Sequence, residues 1–395
     1  MLCLWAGGVQ ISEGLGAAGL AGTALVAALA FPREVEVKGA LRRWWPLWSF
    51  VAWALLGPLL GARGPSGSGL ARVLDWLGVP LAAFAAARMT PRHRRVVMAV
   101  AGGVFVLSFA AAGLQSFGVW PRPETMKVLG YFHHPYLRVY EQGPVPGRFM
   151  GGGLLFHRLK FSHVSALVAL WALALGLQAR RPAVRISAYA LAALVVTGIG
   201  AFAFARAALV ALVLAAALLI LAKVRHRRRG AVVLVAVLVL GGALVGLSPS
   251  MRARFAVLTT AHGGEHRDAL LATGVRAVRA HPLLGLGMGR FHPRDYATSS
   301  TPEDVRENAG KAHNQLLSLA AEAGLPGALL FVVLLVWLFY KFDGSTVSGS
   351  AGRACLVFFA LLSSVHDPLF QAPFSLALVL ALGCASAPGL RPSTP

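Results

Sequence analysis

Apolar stretches long enough to cross a bilayer follow one another along most of the chain, separated by short basic or turn-forming segments. A helix needs about 20 residues to cross ~30 Å of hydrocarbon, where every backbone polar group must be satisfied within the protein. That length predicts spans near residues 14–31, 46–62, 70–87, 96–116, 162–179, 185–203, 205–223, 230–247, 313–340, 353–367 and 371–388, with residues 1–11 as a further span clipped at its start. The expected fold is an all-α, polytopic transmembrane helical bundle of about eleven or twelve spans. No internal repeat or linker to a soluble domain is visible, so residues 1–395 read as a single integral membrane domain.

Composition strengthens this picture. Charged residues make up 13% and hydrophobic residues 57% of the chain, against about 25% charged in soluble domains. Cys3, Cys355 and Cys384 all fall in predicted spans, far apart, and read as small buried hydrophobes rather than a bridge or a metal site. No cleavable signal is apparent, because the apolar start lacks a charged leading region.

The formal charge of +22 could point to nucleic acid, but in a membrane protein it first tests the positive-inside rule. Basic residues cluster at every second crossing: Arg33, Lys38, Arg42 and Arg43; Arg88, Arg92, Arg94 and Arg95; Arg180, Arg181 and Arg185; Lys223 and Arg225 to Arg229. These loops are expected on the cytoplasmic side, with the connectors 117–161 and 248–312 on the far side, both termini inside, and no nucleic-acid partner. The far side also carries many arginines, which topology does not require and an anionic ligand would explain.

The first connector is rich in Pro and aromatics and reads as a partly ordered cap. The second contains "EHRDALLATGVRAVRAHPLLGLGMGRF", in which Leu271, Val275 and Val278 share a helical face beside Arg276 and Arg279. That pattern predicts a helix lying on or dipping into the membrane surface.

The candidate chemistry gathers where "KAHNQLLSLAAEAGLPGALLFVVLLVWLF" begins. His313 and Asn314 stand at the start of the ninth span, where free amides and the helix dipole favour an anion and keep an imidazole neutral and able to accept a proton. A simple Asn314 cap with an interfacial His313 would give the same letters. Glu322 lies nine residues on, about 13 Å along a helix, and at that depth needs pairing, with an Arg, or protonation. A structural pairing role fits it better than catalysis. Arg206 at the outer start of the seventh span either snorkels to the interface or fixes a guanidinium that suits a phosphate. Arg267, Arg276, Arg279 and Arg290, with His281 and His292, add donors in the same outer connector, and His366 and Asp367 fall at the outer end of the tenth span, as site members or as a polar turn.

Two motifs are discounted. "HGGEH", His262 to His266, has the H-x-x-E-H zinc spacing, but Gly263 and Gly264 weaken the required helix. "GLGMGR" has no preceding strand and reads as a turn, at most a place of close backbone approach.

Taken together, "AHNQLLSLAAEAGLPGALLFVVLL" preceded by "RAVRAHPLLGLGMGRF", with "GAFAFARAALVALVLAAAL" and "GRFMGGGLLFHRLKFSHVSAL" further back, resembles the signature of the O-antigen ligase and polymerase superfamily over roughly residues 145–370. The resemblance implies a metal-independent inverting glycosyltransferase with a GT-C-like fold in the bacterial inner membrane, working at its periplasmic face without a cofactor. Its donor is an undecaprenyl-pyrophosphate-linked glycan. Its acceptor is lipid A-core for a ligase, the preferred reading, or a second carrier-linked glycan for a polymerase. On this resemblance His313 is the catalytic residue. Arg206 and Arg267 hold the pyrophosphate, with Arg276 and Arg290 as further donors, and Asn314, Glu322 and Asp367 support the site. The stretch after Arg267 lacks the Trp expected there, which leaves Arg276 competing for its role. A transporter of lipid-linked glycan is the remote alternative, and only one of the broken helices it would need is visible, at "GLPG".

Overall fold

The computed structural model describes residues 1–30, 42–57, 60, 64–120, 143, 146–223, 232, 235, 239, 242–243, 246, 249–256, 266–308 and 310–387. Most of the expected 230–247 span, the middle of the first connector and His262 to Glu265 lie outside the described residues.

The chain is a polytopic helical membrane protein. Helices α1 (Leu2–Gly8), α2 (Glu13–Ala30), α3 (Trp45–Leu56), α4 (Gly67–Asp75), α5 (Gly78–Arg88) and α6 (Pro91–Ser116) form the first part. Then come α7 (Arg158–Gln178), α8 (Pro182–Ala201), α9 (Arg206–Lys223), α10 (Pro249–Ala256), α11 (Arg267–Ala280), α12 (Glu303–Asn308), α13 (Gln315–Lys341), α14 (Val347–Ser363) and α15 (Ala372–Ser386). Among the described residues, six segments are long and apolar enough to cross a membrane, α4 and α5 counting together as one; α2, α3, α14 and α15 are shorter apolar helices.

Side-chain caps start several of them. Ser66, Thr90, Asn314 and Thr346 accept backbone N–H bonds from Gly69, His93, Leu317 and Gly349 at the first turns of α4, α6, α13 and α14, satisfying donors that have no partner within the helix.

Helix α7 is the most enclosed long helix: 67% of its apolar window is buried, against 22% for α6. It packs on α8, α9, α14 and α15, while α13 packs on α3, α11 and α14. Packed rings close the centre: Phe331 lies edge-to-face on Trp76 with centroids 5.1 Å apart, a geometry aromatic quadrupoles favour, and tilted on Phe50 at 5.0 Å.

Helix α14 departs from the expected 353–367. It begins at Val347 and ends at Ser363. Its first turns, Ser348 to Gly352, are small and buried; they contribute close helix packing rather than hydropathy, so an apolarity reading starts too late. His366 and Asp367 therefore stand in the loop after the helix.

The bundle has two distinct ends. At one, Lys223 Nζ donates to Gly344 O at 2.5 Å and Arg353 Nη2 to Phe342 O at 2.7 Å. At the other, the starts of α7, α9, α13 and α15 and the end of α14 converge, tied by Gln315 Oε1 accepting from Leu369 N at 2.8 Å and by Asn314 Nδ2 donating to Ser364 O at 3.4 Å.

The "GLPG" break is real. Gly324 has φ 72° and ψ 173° inside α13, a region essentially reserved for glycine, and the Leu283 carbonyl packs where a Cβ would stand. Gly324→Ala is expected to destabilise the protein by about 1–3 kcal/mol, read as a lower midpoint of thermal unfolding.

Candidate active site

The loop before α13 folds back on the helix it starts. Glu322, completely buried, accepts from the amides of Gly289 at 2.8 Å and Phe291 at 3.3 Å and pairs with the Lys311 ammonium. The expected arginine partner is thus a lysine, supplied from eleven residues upstream. The "GLGMGR" turn wraps this carboxylate: Gly285, Gly287 and Gly289 all have positive φ, and Ser66 N donates to Met288 O at 2.8 Å. Close backbone approach is what the turn provides. It joins α4 to α13 and fixes Lys311, two residues from His313.

His313 sits just outside the Asn314 cap with φ 54°, the left-handed region that few non-glycine residues adopt. Its backbone N–H and the Ser318 hydroxyl face the Asp367 carboxyl, whose Oδ1 is buried without a hydrogen-bond partner. Burial pushes Asp367 up from the ordinary carboxylate range, and Ser318, His313 and Lys311 oppose that shift.

Behind His313 lies a row of rings. His366 is 6.0 Å from His313 and 5.7 Å from His163 between centroids. His163 is wholly buried, with Nδ1 2.7 Å from Gln371 Oε1. Burial holds His366 well below its ordinary 6.5, aided by the neighbouring His163, His313, Arg267 and Arg158. The sign follows directly: below pH 6.5 the unfolded chain takes up a proton that the folded His366 resists, so stability is lost as pH falls through that value. Acidification from pH 7 to about 5 is expected to lower the thermal midpoint, and His366→Gln should remove part of that drop. The raised Asp367 acts in the opposite sense, losing stability as pH rises above 3.8, and it is retained in that variant.

The structure therefore brings His313, Asn314, Asp367 and Arg267 to one end of the bundle, with Arg206 opening α9 at that same end. Arg276 and Arg290 each engage one guanidinium nitrogen within the protein. Arg276 Nε donates to Tyr296 O at 2.7 Å and Arg290 Nε to Gly64 O at 3.1 Å, so both brace the loop.

Helix α11 turns Leu270, Thr273, Gly274 and Ala277 inward. Leu271 and Val275 are exposed, while Val278 packs beside a small cluster of Ala277, Phe291, Ala312 and Ala321. The expected apolar face is thus divided between the protein and the surface.

Sequence alone does not single out Arg158 and His163. Arg158 reads as a flanking cation and His163 as one polar letter in a span, although both stand in the "FHRLKFSHVSAL" stretch. His266, the one described member of "HGGEH", lies 3.7 Å from Asp304. Among the described residues no group of three His, Cys, Asp or Glu is disposed to hold a metal ion.

Comparison with curated proteins finds no match. Residues 191–332, which hold Arg206, Arg267, His313 and Glu322, match the family model described as O-antigen ligase. Over those residues the chain is similar to the O-antigen ligase family, a likeness that fits its polytopic helical membrane fold.

Proposed function

We propose that the protein transfers a glycan from undecaprenyl pyrophosphate to a hydroxyl of lipid A-core at the periplasmic face of the bacterial inner membrane. The observation that carries this reading is the placement of His313. Its left-handed backbone is held against Asp367 at the mouth of α13, and Arg267 stands close enough to act on the adjacent His366.

In this reaction the acceptor oxygen attacks the anomeric carbon from the face opposite the pyrophosphate. The C1–O bond breaks, its electron pair leaves with the pyrophosphate oxygen, and the hydroxyl proton passes to His313, inverting the centre. Arg206 and Arg267 stabilise the charge that gathers on the leaving group. Arg276 and Arg290, with their Nε atoms engaged, offer their remaining guanidinium N–H groups from the rim. Asp367 faces the His313 backbone and helps to fix that residue at the mouth of α13. The GT-C-like arrangement and the dependence on these protein cations, rather than a metal, belong to the same proposal. A polymerase would use the same donor and the same groups, with a second carrier-linked glycan as acceptor.

Arg206→Ala is expected to lower transfer from a pyrophosphate-linked donor by about a hundred- to a thousand-fold. Arg206→Lys should restore it only partly, since an ammonium lacks the bidentate fork. The check is transfer by purified protein in vesicles, and near-normal rates for Arg206→Ala would remove the clamp from the account.

A further inference from the structure

At the end of the bundle away from His313, a cavity of about 380 Å³ opens between α9, α13 and α14. Its walls are of two kinds. Ala215, Leu218, Leu219, Phe339 and Val357 make an apolar groove, and Lys223, Arg353, Ser345 and Ser350 make a polar head. None of these residues takes part in the proposed transfer.

Lys223 and Arg353 repel each other across the cavity. Asp343, which attracts both, is the acidic group facing them and is itself bound to the amide and hydroxyl of Ser345. Two cations and one carboxylate leave a positive balance. Lys223 spends one N–H on Gly344 O, and Arg353 spends Nε on Phe339 O and one Nη2 proton on Phe342 O. Both therefore keep N–H groups for another acceptor.

We propose that this cavity binds an anionic phospholipid, its phosphate between Lys223 and Arg353 and an acyl chain along the α9–α14 groove. A free phosphate would answer the cations and leave the groove idle, whereas an amphiphile fits both halves. Basic recesses between spanning helices are suited to such head groups. The site sits on the 341–346 turn that joins α13 to α14, so its occupant braces the inner end of the helix that carries Asn314 at its outer end. This inference does not depend on the transfer chemistry.

The test is native mass spectrometry of the full chain in detergent, with equal amounts of phosphatidylglycerol and phosphatidylcholine of matched chains. Each cation is worth about fivefold in occupancy, so wild-type protein should retain phosphatidylglycerol preferentially and Lys223→Gln should lose about fivefold of that preference. Ala222→Trp keeps both cations and places bulk at the exposed mouth of the cavity; it should lower phosphatidylglycerol occupancy while the thermal midpoint stays near wild type. Equal retention of the two lipids, or a preference unchanged in both variants, would overturn the proposal. Displacement of the lipid by millimolar inorganic phosphate would overturn the lipid assignment and leave a simple phosphate site.

Discussion

Replacing His313 by alanine is expected to lower glycan transfer by about a hundred- to ten-thousand-fold, the usual contribution of a positioned base, while the protein still inserts and folds. The side chain lies in the loop outside α13, partly accessible, and the helix keeps its Asn314 cap. Helix packing behind it rests on other residues, such as Phe331 and Leu334. The loss should fall on turnover more than on donor binding, because the arginines remain and the proton moves only in the transition state. Thermal unfolding and donor-binding measurements on the same preparation separate the two outcomes. A His313→Ala protein that transfers glycan at the wild-type rate would remove the base from the mechanism.

Glu322→Ala is expected to act on structure instead. It removes the acceptor of two amides and strands the Lys311 ammonium, and breaking one half of a buried pair costs about 3–5 kcal/mol. That is a large share of the roughly 5–15 kcal/mol by which domains are stable. The expected readout is a markedly lower thermal midpoint and poor recovery from membranes, with transfer reduced because the turn positioning Lys311 and His313 loosens. Glu322→Gln keeps an oxygen for the amides and should fall between the two. A Glu322→Ala protein as stable as wild type would contradict the clamp.

Much of this was legible in the letters. The polar triplet, the capping Asn314 and the 27-residue apolar run place α13 and its mouth, because length and helix-end chemistry are local properties. The Gly324 break was legible for the same reason. The partner of Glu322 was not: a loop folding back onto its own helix is a tertiary event, and periodicity carries no record of it. The same limit hid His163. Its single imidazole barely changes the hydropathy of "FSHVSAL", and only packing against Gln371, His366 and Phe374 gives it meaning. Apolarity alone places the start of α14 too late, because buried small residues look like turn formers when read one at a time. For α11 the periodicity found a helix, and the choice of inward face depended on Gly274 meeting Leu317 of α13.

The central claim is that a finished glycan moves from the lipid carrier to lipid A-core. Deleting the gene and resolving the cell's glycolipids on a gel, probed for both core-bound and carrier-linked glycan, tests it most directly. The account predicts that the ladder disappears from lipopolysaccharide while long polymer accumulates on the carrier, and that the wild-type gene restores the ladder where the His313→Ala form does not. A collapse to single repeat units still joined to the core would make the protein a polymerase, and an unchanged ladder would contradict the account altogether.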